Sequence, residues 1–450
     1  MEWTSIVLER GKCAWGRCYF CGWGKKVVEK SIEDVKKDFD TQISKKRGYS
    51  KLKIFSSGSF LDDNQFPKEL REYIFCRLKE LGFKEVIIES RVEFITKDKI
   101  LELKKFADIK FTIAIGLEVA DNDALKILNK GLTLKVLEEK IQLLKENNIG
   151  VRLYVLANPH PKLRDIELVN KTVEYALRFA DSVVVINTYP HVNSQLWEDW
   201  IKGRWRPLSK EEFNKIVERW KDFPNIEFDF NNFAFIPKFP KEKRVKLKGV
   251  GHEFLVHPYY EVWQDFLQRI YEPPKGKEYV LFLPCAYVKP YTKSKTWRAI
   301  LRGISGYPFF KKLHIIAISS PGVIPYEFIN YYPFNNYDWP EWLETKEIKR
   351  EYIDVTKKRI KKYIGAHYNH YKNIYFAYFK LDAESLIALR NAFEELRNEG
   401  FNIQLIECLS EDTYKKIREI DYKPLLAHPE AVNDLKKCLK DFFMRKNTNR

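Results

Sequence analysis

Cys13, Cys18 and Cys21 fall within nine residues of one another, in the stretch KCAWGRCYFCGWG at 12–24. Three thiolates on one metal centre leave a coordination position open, and no fourth close ligand follows. With zinc, that position would hold a reactive water beside a general base, or be closed by a distant ligand. With a [4Fe–4S] cubane, one iron would stay free to bind a small chelating molecule. The chain of 450 residues has seven cysteines, an odd number clustered in a way that does not suit a disulfide framework. Metal-binding thiolates in a reducing compartment fit better. Phe20, just before the last cysteine of the trio, offers an apolar face and a backbone suited to holding a flat base.

A second group with chemical potential is PCAYVKPYTKSKTW at 284–297. Cys285 ends an apolar run that opens an α/β unit, the position where ligands bind in doubly wound sheets. Lys289 would lower the thiol pKa and favour the thiolate, and Tyr291 and Ser294 add hydroxyl donors nearby. A buried structural cysteine beside a loop lysine satisfies the same spacing.

The elements that must position these groups alternate in type. Strands are expected at 5–9, 51–57, 85–90, 110–118, 151–158 and 182–187, with amphipathic helices at 31–44, 67–81, 97–106, 134–148 and 165–180. The near-continuous apolar runs suit a parallel sheet covered by helices. Six β/α units predict a partial (β/α)6 barrel over 1–237, with a further strand at 225–230. The cysteine trio directly follows the first strand, and barrels collect their chemistry at the carboxyl ends of strands. The other strand ends carry Ser57, Gly58 and Ser59 in SSGSFLD, Glu89 and Arg91 in ESRVEFI, then Glu118 and Asn158. Structural ion pairs would use the charged members of this set equally well. Residues 238–275 read as a basic, proline-interrupted linker followed by an aromatic helix at 257–271. Residues 276–450 read as a doubly wound α/β domain, with strands at 280–284, 313–319, 373–379 and 402–407.

A net charge of +17 and a pI near 9.2 point to a polyanionic partner, nucleic acid before acidic membrane. No apolar run approaches the roughly 20 residues of a membrane span, and no secretion pattern opens the chain, so a cytoplasmic location is expected. The stretch 187–207 holds three tryptophans among basic residues; it would stack on bases or form a buried aromatic cluster.

The trio, its place after the first strand and the SGSFLD loop resemble the radical S-adenosylmethionine (SAM) superfamily. The first cysteine gap departs from the commonest pattern, holding four residues instead of three. The resemblance implies a [4Fe–4S] cluster on Cys13, Cys18 and Cys21 and SAM on the strand-end residues, with Phe20 beside the adenine. The glycine-containing loop would take the methionine amine, carboxylates such as Glu118 the ribose, and Arg91 the carboxylate of SAM.

The first half is also similar to the radical SAM partner of archaeosine synthase, and PC…KPY…S, SSPGVIPYEF and YYPFNNYDWP resemble the synthase catalytic domain. Where that family has histidine three residues after the serine, Trp297 stands. These resemblances imply action on tRNA. The synthase attaches free lysine to the nitrile of 7-cyano-7-deazaguanine, and its partner cleaves the lysine Cε–N bond to leave archaeosine. Cys285 would be the nucleophile, with Lys289, Tyr291 and Ser294 as activators or anchors, and a separate synthase or RNA-binding subunit could complete the assembly. Radical chemistry on another RNA base, methylthiolation included, and a metal-stabilised RNA-binding scaffold are the competing readings. Methylthiolation would need further cluster ligands, and Cys76, Cys408 and Cys438 stand isolated in the sequence.

Overall fold

Seven apolar runs build one parallel sheet in the computed structural model, which describes residues 3–230 and 235–448. In chain order the elements are β1 (Trp3–Leu8), α1 (Ile32–Ile43), β2 (Lys51–Ser56), α2 (Lys68–Glu80) and β3 (Glu85–Glu89). Then come α3 (Lys97–Lys104), β4 (Lys110–Glu118), α4 (Asn122–Ile127), α5 (Leu134–Glu146) and β5 (Gly150–Ala157). The series ends with α6 (Ile166–Phe179), β6 (Ser182–Asn187), α7 (Gln195–Ile201), α8 (Lys210–Val217) and β7 (Ile226–Asp229). Each strand pairs in parallel with the next, β1 through β7. This is the expected curled partial barrel; β7 adds to the β6 edge, and the barrel stays open.

Every residue of β4 from Ile113 to Ile115 and of β5 from Val151 to Leu153 is buried. Such strands are covered on both faces, which is why they read as unbroken apolar runs. The helices are stopped and started locally. Ser31 caps α1 and Asp34 reaches back to close a capping box, and Ser209 and Glu212 do the same for α8.

Chain division falls between Phe235 and Ile236. The second unit contains β8 (Leu247–Lys248), α9 (His252–Leu255), α10 (Pro258–Arg269), β9 (Tyr279–Pro284), α11 (Lys295–Ile304) and β10 (Leu313–Ser319). After these come β11 (Gly322–Pro325), β12 (Tyr337–Asp338), α12 (Lys346–His367) and β13 (Ile374–Ala377). The last elements are α13 (Glu384–Asn398), β14 (Gln404–Glu407), α14 (Glu411–Glu419) and α15 (Pro429–Thr448). The main sheet has the order β11-β10-β9-β13-β14, parallel except for β11. The chain starts at the centre and winds to both sides, a doubly wound arrangement.

Residues 238–275 are built into this second unit. Val245 exchanges two hydrogen bonds with the Tyr332 hydroxyl, and β8 pairs with β12. Trp263 of α10 donates to the Tyr332 carbonyl and packs among Phe328, Tyr331 and Phe334. Cys408 and Cys438, isolated in sequence, meet with their sulfurs 2.8 Å apart. Among the described residues no helix is long and apolar enough to cross a membrane.

In the first unit, one buried cation fixes the loop after β2. The Arg71 side chain is 1% exposed; it donates to Asp63, to Glu102 and to the Phe66 carbonyl. Replacing it by methionine sets an apolar side chain against Glu102 and leaves that carboxylate only the longer Lys99 pair, at 3.5 Å. Arg71→Met should therefore destabilise the first unit by about 3 kcal/mol, read as an earlier transition in a urea titration. Arg71→Lys should recover only part of the loss, since a lysine cannot reach all three acceptors in a fixed fork.

Candidate active site

The loop that carries the cysteine trio is tied down on several sides. Trp15 Nε1 donates to the Asn129 carbonyl at 2.7 Å, Asn129 Nδ2 donates to the Arg17 carbonyl, and Tyr19 N–H donates to the Leu128 carbonyl. The Tyr19 carbonyl in turn accepts from the backbone of Gln195 and Leu196 at the start of α7. Gly22 presses so closely on the loop before α7 that an added Cβ would lie 1.9 Å from the Val192 carbonyl oxygen. No larger residue fits there without moving backbone.

The thiols stand in a charged setting. Burial pushes Cys18 and Cys21 up, while the Lys130 ammonium pulls both down. The backbone N–H groups of Gly24 and Trp23 also donate to Cys21, which favours its thiolate. Among the described residues, no group of three or more His, Cys, Asp or Glu side chains stands as it is in a geometry that would hold a metal ion. The donor set nevertheless suits an iron–sulfur cluster: three thiols on one anchored loop, beside a cation and backbone donors that offset thiolate charge.

Lys130 is the hub of this strand edge. Its Nζ donates to Glu118 Oε1 at 2.5 Å, and its carbonyl accepts from Arg91 Nη2 at 3.2 Å. The ammonium also lies 6.0 Å from the centre of the Phe20 ring. Both members of the Lys130–Glu118 pair are almost enclosed, and the attraction of Glu118 holds the lysine above its usual range despite burial. Glu118 sits at φ 66°, just after a shift in the β4–β5 register. A Cβ on Gly116 would lie 2.2 Å from Glu118 Oε1 and 2.7 Å from Lys130 Nζ, so the pair needs glycine there. Arg91 also bonds Glu93 and lies over the Trp15 ring.

Other expected residues hold the scaffold. Ser59 Oγ accepts from Arg91 N–H, and Ser59 N–H donates to Gln65 Oε1 at 2.8 Å. A Cβ on Gly58 would lie 2.1 Å from that same Gln65 oxygen. Glu89 accepts from Ser56 N–H at 2.9 Å and from the Tyr154 hydroxyl at 3.2 Å. Asn158, at φ 59°, donates to the Arg206 carbonyl.

Three polar atoms at this edge are buried with no partner among the described residues: Ser56 Oγ at the end of β2, Asn158 Oδ1 just after β5 and Asn187 Oδ1 at the end of β6. Buried polar atoms are rarely left so, and their grouping at the carboxyl ends of strands is what a ligand site provides. Lys130, Trp15, Gln65 and Asn187 were not among the residues the sequence singled out. A lysine or an asparagine in a chain this rich in polar residues carries no local signal of its place.

In the second unit, the three motif segments converge on Cys285. Its thiol, pushed up by burial, has the Ser319 and Tyr337 hydroxyls as hydrogen-bonding neighbours and Lys289 as a nearby charge. Tyr337 joins Tyr291 and Ser319, hydroxyl to hydroxyl, at 2.5 Å each. Lys289 Nζ lies 4.0 Å from the Tyr337 ring centre, and burial lowers its pKa. Ser294 plays a different part, since its hydroxyl accepts from Trp297 N–H as the N-cap of α11. Trp297 is buried and donates to the Pro284 carbonyl at 3.0 Å, holding the strand end that presents Cys285.

Glu89 makes stability depend on pH. Burial raises its pKa from 4.5 to about 7. Below pH 4.5 both folded and unfolded chains hold the proton. Between 4.5 and 7 only the unfolded chain releases it, so stability falls as pH rises, then levels off above 7. Glu89→Gln should remove this fall. Urea titrations at pH 5 and 7.5 should show the variant gaining on the parent protein by at most about 3 kcal/mol.

Comparison with known proteins bears on both units. Residues 11–170 match the Radical SAM superfamily, and residues 261–401 match a Domain of unknown function (DUF5591). Archaeosine synthase subunit beta of Thermococcus kodakarensis is 31% identical over 150 residues, 32% of this chain and 46% of that protein. Archaeosine synthase subunit beta of Methanosarcina acetivorans is 24% identical over 215 residues, 45% of this chain and 62% of that protein. Archaeosine synthase subunit alpha of Thermoplasma acidophilum is 26% identical over 132 residues, 28% of this chain and 24% of that protein. The chain thus spans less than two thirds of each of these relatives. Its first unit carries a radical SAM domain, whose cofactors are a [4Fe–4S] cluster and S-adenosylmethionine, and the chain is homologous to archaeosine synthase subunit beta.

Proposed function

We propose that this chain is a tRNA-modifying radical SAM lyase of archaeosine formation. It would cleave the Cε–N bond of the lysine adduct of 7-cyano-7-deazaguanine in tRNA, leaving the amidine of archaeosine. The observation that carries this reading is the homology to archaeosine synthase subunit beta, joined to an anchored three-thiol loop at the strand edge. The net charge of +17 suits a polyanionic substrate.

Cys13, Cys18 and Cys21 would hold the cluster, and Phe20, Arg91, Glu118 and Asn158 would contact SAM, with the Ser57–Gly58 backbone at its amine. Bound there, the cluster and SAM would supply one-electron radical chemistry at the substrate. Ser59, Gln65 and Glu89 act as positioning residues, because their polar groups are already committed to the loop. Lys130 holds the Glu118 carboxylate in position by a short ion pair. Asn187 Oδ1, unpartnered among the described residues, would accept from the bound ligand.

The second unit would add lysine to the nitrile. The Cys285 thiolate adds to the nitrile carbon while the nitrogen takes a proton; the lysine ε-amine then displaces sulfur, which leaves as thiolate. Lys289, lowered by burial, is placed to take the thiol proton. Tyr291 and Tyr337 are hydroxyl donors at the same centre. Ser294 and Trp297 position the loop, and the indole at 297 supplies no acid–base group.

Anaerobic reconstitution should give about four irons per chain, and the Cys13→Ala, Cys18→Ala, Cys21→Ala variant should bind almost none. With SAM, a reductant and tRNA bearing the lysine adduct, the parent protein should form 5′-deoxyadenosine and the amidine base. Zinc in place of iron would reject the reading. Glu118→Gln should weaken SAM binding about tenfold, roughly 1.4 kcal/mol, in equilibrium dialysis.

With free lysine and nitrile-bearing tRNA, the parent protein should form the lysine adduct. Cys285→Ala should lose at least about a hundredfold in that rate, within the range for removing a covalent nucleophile, yet keep radical cleavage of preformed adduct. Lysine addition that survives Cys285→Ala would remove the thiolate from the mechanism.

A further inference from the structure

We infer that the face of the second unit around Cys285 is a docking surface for unpaired RNA nucleotides, with bases stacked on Tyr287 and Trp342 and phosphates held by the basic strip at 238–248. The inference deepens the tRNA reading of that same site and rests on it for the identity of the RNA.

Two large aromatic side chains stand almost fully in solvent there. Tyr287 is 74% exposed and Trp342 73%. Among the described residues neither ring stacks on another, although this unit elsewhere buries its aromatics in dense clusters. Tyr287 lies on the loop between Cys285 and Lys289, whose Nζ donates to the Tyr287 carbonyl at 3.4 Å. Trp342 lies on the turn Glu341–Leu343, five residues after Tyr337, whose hydroxyl bonds Tyr291 and Ser319 at the Cys285 centre. Both rings therefore stand on segments that adjoin one centre.

The basic strip borders the same centre. Six Lys or Arg residues stand in 238–248 against one carboxylate, Glu242. The strip is held in place: Leu247 and Lys248 pair with Tyr337 and Asp338, and Tyr332 clamps Val245. Tyr337 is the residue whose hydroxyl serves Cys285 and whose ring lies beside Lys289. Lys248 is neutralised by Asp338 at 3.0 Å, whereas Lys241 and Lys246 are exposed and form no ion pair among the described residues. Glu341 beside Trp342 and Glu242 are the carboxylates that dilute this field.

A row of phosphate-sized positive charges beside open π-faces matches single-stranded nucleic acid better than a protein groove. Stacking contributes about 1–3 kcal/mol per base whatever the base, and each phosphate contact adds a salt dependence. A modifying enzyme also requires its target base out of the stack, so neighbouring unpaired nucleotides need somewhere to lie.

The test uses the full chain and fluorescein-labelled oligouridine, followed by anisotropy across a salt series, with unmodified tRNA as a second probe. Tyr287→Ala with Trp342→Ala should weaken oligouridine binding about 30-fold or more, while Tyr287→Phe with Trp342→Phe stays within about threefold of the parent. Lys241→Gln with Lys246→Gln should lower the slope of log K against log salt by about 1.4. All these positions are exposed, so melting curves should not move. Unchanged RNA binding in both alanine and glutamine doubles would overturn the inference, as would retained RNA binding with loss of a co-purifying protein. RNA binding lost as expected, with no 5′-deoxyadenosine formed on any tRNA, would support the surface and reject the enzymatic reading. Normal modification together with undiminished binding would do the reverse.

Discussion

One enclosed ion pair, Lys130 with Glu118, organises the polar strand edge of the first unit. Burying two charges is costly, and such a pair is a poor source of net stability. Local sacrifices surround it: a register shift in β4, a glutamate at φ 66° and a glycine at 116 where an added Cβ would displace the pair. These costs are borne because the pair sets the sign and position of charge beside the thiols. Losing Lys130 would leave Glu118 an uncompensated anion near Cys18 and drive that thiol further towards its protonated form. The same lysine carbonyl holds Arg91, so one residue organises the carboxylate, the guanidinium and the thiol loop.

The two units share a principle although they share no strand. In each, a parallel sheet ends in a polar rim, and the residues that could react stand on that rim while others of similar type brace it. Ser59 and Ser294 show the difference. Both are hydroxyls in motif segments beside a reactive centre, yet one is spent on Arg91 N–H and the other on capping α11. Trp297 carries the same lesson: where the resembling family has a histidine, this chain uses an indole to pin the Pro284 carbonyl.

Much of this was legible in the sequence because buried parallel strands leave long apolar runs. Strands β2, β4 and β6 lie within one residue of their expected bounds. The elements that were not legible had no such pattern. The hairpin strand β11 is four residues long, and β8 and β12 have two each; pairs that short are set by tertiary contacts. The stretch 238–248 read as a linker because its charges and prolines dominate, while Tyr332, which binds it into the unit, acts across a large sequence gap; the aromatic helix expected at 257–271 is α10. Lys130 was hidden for a related reason. Its role comes from where α4 ends, and nothing in NKGLT distinguishes it from the chain's other lysines. The cap on α11 has a readable signal, since a serine three residues before Trp297 opens an amphipathic run; the same serine also completes the PC…KPY…S motif, and one hydroxyl cannot be assigned to both from spacing.

In the second unit, burial and hydroxyl donors pull the Cys285 thiol in opposite directions. Burial raises the Cys285 thiol and lowers Lys289, so the two proton affinities move together. The neutral thiol–amine pair then gains on the thiolate–ammonium pair, and the resting thiol is shielded from oxidation and adventitious electrophiles. The Ser319 and Tyr337 hydroxyls act in the opposite sense, since hydrogen bonds to sulfur favour its charged form. Lys289, coupled by charge to the same sulfur, bears on the same balance. Such a centre needs a surface that brings the substrate in by its own charge, and the basic strip bonded to β12 lies where that attraction would act.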